Sequence, residues 1–225
     1  PSAGSYYVEV LTNSLADVAW KLFLEVEEKG GFSVAVNAGE IQNAVNASNV
    51  ARKKAVATRR EILLGSNQYP NFTEVAADKI QEKGSCCCGG GHCGEATIPA
   101  LDFSRGASEF EALRMATEKS GKTPKVFMLT IGNLAMRLAR SQFSANFFAC
   151  AGFEVKDNNG FKTVDEGVQA CLDNKAAIVV LCSSDDEYAG FAPEAFEKLK
   201  DKAIVVVAGN PESRPELEAK GLMNY

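Results

Sequence analysis

Four cysteines and the only histidine of the chain crowd into eight consecutive residues, Cys86-Cys87-Cys88-Gly89-Gly90-Gly91-His92-Cys93. Zinc and iron–sulfur clusters prefer thiolate and imidazole, so Cys86, Cys87, Cys88, His92 and Cys93 are the candidate metal ligands. Zinc sites usually draw on two separated ligand pairs, and closing a tetrahedron within so short a run is awkward. A metal site also needs ordered neighbours to orient its ligands, and glycines do not supply them. A loop that tolerates thiols in a reducing compartment accounts for the same residues. That is the reading adopted, with a metal-binding cluster as the alternative. Any Ser-His or Cys-His mechanism would have to use His92, whose neighbours give it no scaffold as a general base.

The other candidate groups lie further on. Asp185, Asp186 and Glu187 make an acidic run that could suit a hard cation. Acids at the start of a helix are also what the helix dipole favours, and that plainer reading is preferred. Thr130-Ile131-Gly132-Asn133 carries one glycine, too few for a phosphate cradle. Gly209-Asn210-Pro211-Glu212-Ser213 reads as a turn leading into a capped helix. No catalytic constellation emerges.

The elements that position these groups have a clear rhythm from Lys125 onward. Strands are expected at Val126–Leu129, Phe153–Val155, Ala176–Leu181 and Ala203–Ala208, with a fifth beginning at Leu222–Tyr225. Helices are expected between them, at Leu134–Cys150, Val164–Leu172, Phe191–Leu199 and Pro215–Lys220. This alternation predicts a doubly wound, parallel, five-stranded α/β sheet of the flavodoxin-like kind. Ligands of such sheets bind beyond the carboxyl ends of the strands, so the loops at 130–135, 182–188 and 208–213 are the ones to examine.

Upstream, residues 71–122 read as a linker holding the Cys/Gly-rich loop and one helix, about Ser108–Lys119. Residues 1–70 read as a short strand at Tyr6–Leu11 and a helix capped by Ser14, with Leu15, Val18, Leu22, Phe23 and Val26 on one face. Gly30-Gly31 ends that helix, and a second runs from about Gly39 to Leu64. Residues 123–225 then form the α/β domain.

The bulk numbers exclude several classes. An apolar fraction of 46% with 24% charged residues is ordinary for a globular protein. A net charge of -5 gives no electrostatic reason to expect nucleic acid or an anionic membrane as partner. No apolar run approaches the roughly twenty residues that span a bilayer. The start carries no signal peptide and no initiator methionine, as expected of an excised fragment. Cys150, Cys171 and Cys182 sit in apolar stretches and read as small core residues, in keeping with a reducing cytoplasm.

Several short segments, in order, resemble one family. Gly4-Ser5-Tyr6-Tyr7-Val8-Glu9 with Leu11-Thr12, Ala19, Glu27 and Gly30-Gly31 resembles the end of the substrate-binding TIM barrel of methylmalonyl-CoA mutase. Gly65-Ser66-Asn67-Gln68-Tyr69-Pro70 resembles its exit from the barrel, and Phe110-Glu111-Ala112-Leu113-Arg114 the helix before its cobalamin-binding domain. Lys125-Val126-Phe127-Met128 resembles the first strand of that domain. The resemblance implies a helical barrel tail, a linker and an α/β domain of the cobalamin-binding type.

The departures matter more. Family members that bind cobalamin carry Asp-x-His-x-x-Gly after the first strand, the histidine being the lower ligand of cobalt. Those three positions fall here on Leu134, Met136 and Ala139. The family's Ser-x-Leu falls on Ser183-Ser184-Asp185, and its Gly-Gly on Ala208-Gly209. The pattern resembles the small, non-catalytic subunit of the two-chain mutase. By that resemblance this chain binds no cofactor and catalyses nothing, and forms a heterodimer with a large subunit. The large subunit would bind adenosylcobalamin and interconvert methylmalonyl-CoA and succinyl-CoA. A cobalamin module without histidine ligation is the alternative. The motif positions also predict that the helix after the first strand starts early, with Leu134 and Leu138 turned to the sheet to close the cofactor slot.

Overall fold

Val126-Phe127-Met128-Leu129 contains no polar residue, which suits a strand covered on both faces. In the computed structural model, which describes residues 3–77, 79, 101–102 and 104–225, it forms the centre of β1 (Lys125–Thr130). Three parallel strands join it, β2 (Glu154–Lys156), β3 (Ile178–Cys182) and β4 (Ile204–Val207), in the order β2-β1-β3-β4. In register, Met128 lies opposite Val180, and Val180 opposite Val206.

Each crossover is a helix: α5 (Leu134–Cys150), α6 (Val164–Asp173) and α7 (Tyr188–Leu199), with α8 (Arg214–Ala219) after β4. Side chains alternate along each strand, so the sheet builds two cores. Phe127, Leu129, Val179, Leu181, Val205 and Val207 pack with residues of α6, α7 and α8 on one face. Val126, Met128, Val180 and Cys182 meet Ala145 and Phe148 of α5 on the other. The expected doubly wound α/β fold is present. Leu222–Tyr225 runs beside β4, where the Val207 N–H donates to the Asn224 carbonyl at 2.9 Å, and the sheet has four strands among the described residues.

The described residues divide into two compact units, 3–54 with 101, 102 and 104, and 55–77 with 79 and 105–225. In the first, Tyr6–Leu11 is not a strand. It opens α1 (Tyr6–Glu28), and Ser14 is no cap but lies mid-helix, its hydroxyl donating to the Val10 carbonyl at 2.9 Å. Tyr7, Leu11, Leu15, Val18 and Leu22 hold helical spacing straight through the run, and that period overrides the β-propensity of its aromatic and branched residues. Gly30 and Gly31 end the helix with φ of +100° and +90°, which side-chain-bearing residues rarely adopt.

The stretch expected from Gly39 to Leu64 is shorter. After α2 (Phe32–Asn37), α3 (Glu40–Ala57) stops at Ala57 because a side chain takes over its backbone partners. Asn67, fully buried, donates to the carbonyls of Val56 (2.8 Å) and Glu61 (2.9 Å) and accepts from the Leu63 N–H at 2.8 Å. The helix α4 (Ser108–Lys119) falls where the sequence predicts it.

No residue of α1 is buried, and Trp20, Leu22 and Phe23 are at least half exposed. Most helical stability in proteins comes from packing one apolar face, and nothing among the described residues covers this one. In the isolated chain the amides of α1 should exchange with solvent on the timescale of a fraying terminus, far ahead of those in β1 and β3. Protection of α1 equal to that of the strands, in a sample shown to be monomeric, would contradict this.

Candidate functional site

The loops that follow β1, β3 and β4 meet at the carboxyl edge of the sheet, where open α/β sheets take ligands. The first is Ile131-Gly132-Asn133. Asn133 caps α5, its side-chain oxygen accepting from the Ala135 (3.1 Å) and Met136 (3.2 Å) N–H groups. The helix therefore starts at Leu134, after a loop of three residues, as the sequence predicts.

Glu187 ties this loop to the one after β3. Its carboxylate accepts from the Ser183 and Ser184 hydroxyls and from the Asn133 N–H at 3.1 Å. Those donors, the two hydroxyls above all, hold its carboxyl down to about 2. Gly132 makes room, since a Cβ there would fall 2.2 Å from the Glu187 carboxylate. Behind it, the buried Tyr188 hydroxyl accepts from the Ser183 N–H at 3.0 Å. Its proton lies between the carbonyls of Leu181 (3.1 Å) and Ala208 (2.8 Å). Burial raises the Tyr188 hydroxyl well above the usual tyrosine range, so it stays protonated.

The loop after β4 is tied in by Arg140. Its guanidinium donates to the Ala208 carbonyl and, at 2.8 Å, to Asp185. The acidic run is thereby accounted for: Asp185 pairs with Arg140, Glu187 bridges two loops, and Asp186 is exposed. Among the described residues no three His, Cys, Asp or Glu side chains stand close enough together to hold a metal ion. The cysteine–histidine cluster, Cys86, Cys87, Cys88, His92 and Cys93, lies outside the described residues.

The expected closure of the slot is overturned. Between α5 and β3–β4 lies an apolar cleft of about 450 Å³, lined by Met136, Ala139, Phe143, Phe147, Val180 and Val206, with Arg140 and Gly209 at its carboxyl-edge end. Leu134 is 61% exposed and Leu138 43%. The rotation of α5 is set by Ser141, Ser144 and Ala149, which are buried, and by Ala145 and Phe148, which pack on the sheet. That phase turns Leu134 and Leu138 toward Asn158 and Asn159 instead. Of the motif positions, Met136, Ala139 and Gly209 line the cleft, Ser183 is buried against Glu187 and Tyr188, Asp185 pairs with the cleft residue Arg140, and Leu134 faces elsewhere.

Nucleophilic chemistry has little to work with here. Burial pushes the thiols of Cys171 and Cys182 up to about 12 and raises that of Cys150, which leaves all three protonated and inert. The Cys150 sulfur accepts a contact from Arg59 at 3.5 Å, and the same guanidinium lies over the rings of Phe143 and Phe147, at 5.3 and 5.4 Å. Arg140 and Tyr188 have no signal in the sequence. Arg140 reaches Asp185 45 residues away, and Tyr188 joins Ser183 and Leu181 nearby to Ala208 20 residues on, at no recognisable spacing.

Comparison with known proteins bears on this edge. A family model for methylmalonyl-CoA mutase matches residues 1–85. The methylmalonyl-CoA mutase small subunit of Porphyromonas gingivalis is 65% identical over 228 aligned residues, 100% of this chain and 36% of that relative. The chain belongs to the methylmalonyl-CoA mutase family. It is also 33% identical to the methylmalonyl-CoA mutase small subunit of Propionibacterium freudenreichii subsp. shermanii, over 89% of this chain and 30% of the relative. A protein named methylmalonyl-CoA mutase, from Rhizobium meliloti, is 44% identical over only 36% of the chain and 11% of its own length. These two small subunits match 100% and 89% of the chain, and the chain spans about a third of the length of each.

The fold of this family implies cobalamin, and the residues present do not fit it. At the positions where the resemblance would put the cobalt-binding imidazole and its orienting aspartate stand Met136, whose thioether is a poor substitute, and Leu134, which cannot orient a ligand. The edge over which a ligand would enter is crossed by the Arg140–Asp185 pair.

Proposed function

We propose that this chain is part of the non-catalytic subunit of a heterodimeric, adenosylcobalamin-dependent methylmalonyl-CoA mutase. The large subunit binds the cofactor and carries out the isomerisation of methylmalonyl-CoA and succinyl-CoA. The present chain repeats the cofactor domain's architecture as a structural element, binds no cobalamin, and works in a reducing cytoplasm. The observation that carries this reading is similarity to small subunits along 89–100% of this chain, combined with Met136 where the resemblance would put a ligating histidine. No helix among the described residues is long and apolar enough to cross a membrane, in keeping with a partner met in water. A formal charge of -5 gives nucleic acid no purchase.

The apolar α1 supports a partner in the same terms, since its uncovered residues suit burial against the remainder of a barrel. The test is co-expression of the full-length protein with a mutase large subunit. The two should co-purify as one complex that turns over methylmalonyl-CoA when adenosylcobalamin is added, and the present chain alone should give no turnover. A chain that isomerises the substrate alone, or that fails to associate with any large subunit, contradicts the proposal.

A further inference from the structure

The carboxyl-edge end of the cleft is crossed by a cation that the chain supplies itself. Arg140 stands one turn beyond Met136 on α5 and is mostly covered, its side chain 19% exposed. Its guanidinium reaches the Ala208 carbonyl at the end of β4 and Asp185 in the loop after β3, the latter at 2.8 Å. Gly209 supplies the bed on which this pair lies. A Cβ at that position would fall 2.0 Å from Arg140 Nη1 and 2.6 Å from Asp185 Oδ1. Three segments far apart in sequence thus converge on one ion pair, and the ion pair lies at the carboxyl-edge end of an apolar cleft of about 450 Å³.

We infer that Arg140 and Asp185 form a clasp that shuts this cleft from the carboxyl edge, a second barrier to a cobalt corrinoid, independent of the missing histidine. The inference rests on the cofactor-free reading above and deepens it. A slot filled by side chains would leave no space behind its mouth. Here the space persists, lined by Phe143, Phe147, Val180 and Val206, with Phe143 and Phe147 more than half exposed along α5, and the ion pair crosses its carboxyl-edge end. Asp185 occupies the position where the resembling motif has an apolar residue, and a leucine there could not hold Arg140. The clasp is a positioning device: it also fixes the loops after β3 and β4 against each other with no ligand between them.

The test is equilibrium dialysis of the chain against adenosylcobalamin, read as cobalt bound per chain. Four proteins are compared: the unmodified chain, Met136→His, Met136→His with Arg140→Ala, and Met136→His with Asp185→Ala. Met136→His alone should bind weakly, and both double variants should bind roughly tenfold more tightly or better. That is the factor by which a closed state favoured by about 1.4 kcal/mol lowers apparent affinity. Asp185 is half exposed, so its replacement keeps the comparison available if Arg140→Ala fails to fold. Equal binding by the single and double variants, or no binding by any of them, overturns the clasp and leaves the cofactor-free reading standing. Tight binding by the unmodified chain overturns that reading instead.

Discussion

Replacing Arg114 by leucine should cost the second unit about 3–5 kcal/mol of stability, the range for breaking a buried ion pair from one side. Arg114, on α4, is 8% exposed. It donates to the carbonyls of Glu74 (2.7 Å), Asn71 (3.1 Å) and Ala149 (3.4 Å), and to Glu118 at 3.3 Å. Glu118 in turn accepts from the Ala76 and Ala77 N–H groups, both at 2.9 Å. One guanidinium therefore docks residues 71–77 onto α4 and onto the end of α5. Leucine would leave three carbonyls without this donor and the Glu118 carboxylate without its counter-charge. Lysine would recover little, because a single ammonium cannot serve carbonyls on three sides. Urea unfolding checks this: the midpoint should drop with the slope unchanged. A loss below about 1 kcal/mol, the level of a surface pair, would show that the network is not holding the segment.

Glu187→Ala should cost about 2 kcal/mol, the scale of losing hydrogen bonds to a charged acceptor, and should change the pH dependence of stability as well. The carboxylate joins the loops after β1 and β3 through Ser183, Ser184 and the Asn133 N–H. Its carboxyl is held at about 2 in the folded chain against an ordinary value of 4.5. A lowered folded value means that the stabilisation is fully present above about pH 4.5 and drains away as pH falls toward 2. Glu187→Gln keeps the shape but not the charge, so the gap between it and the unmodified chain should be widest at neutral pH and should narrow through that window. A gap that stays constant from pH 7 to pH 3 would refute the assignment, since it would mean that the charge contributes nothing.

The α/β domain was legible because the strands at the centre of its sheet are apolar on both faces. Ile178 to Cys182 and Ile204 to Val207 admit few other readings once helices separate them. The opening helix was not, because Tyr6 to Leu11 satisfies a strand's composition and a helix's spacing at once, and only the longer period decides. The motif positions were legible as departures, yet their consequence was misread. Spacing shows that Leu134 and Leu138 share a helical side, but not which side meets the sheet. That choice lies with Ser141, Ser144 and Ala149, small buried residues with little hydropathic signal. Arg140 and Glu187 illustrate the remaining limit. Arg140 acts through Asp185 and Ala208, and Glu187 reaches Asn133 across 54 residues, partners brought near only by the crossovers, so these ties leave no local pattern to recognise.

The central claim is that this member of the family keeps the architecture of a cobalamin-binding domain without the capacity to hold cobalamin. Its most direct test is to incubate the purified, unmodified chain with adenosylcobalamin, separate protein from free cofactor by gel filtration, and measure cobalt in the protein fraction. The account predicts cobalt at background, with no change in the cofactor's spectrum on mixing. Cobalt retained in proportion to the chain, at micromolar cofactor, would contradict it.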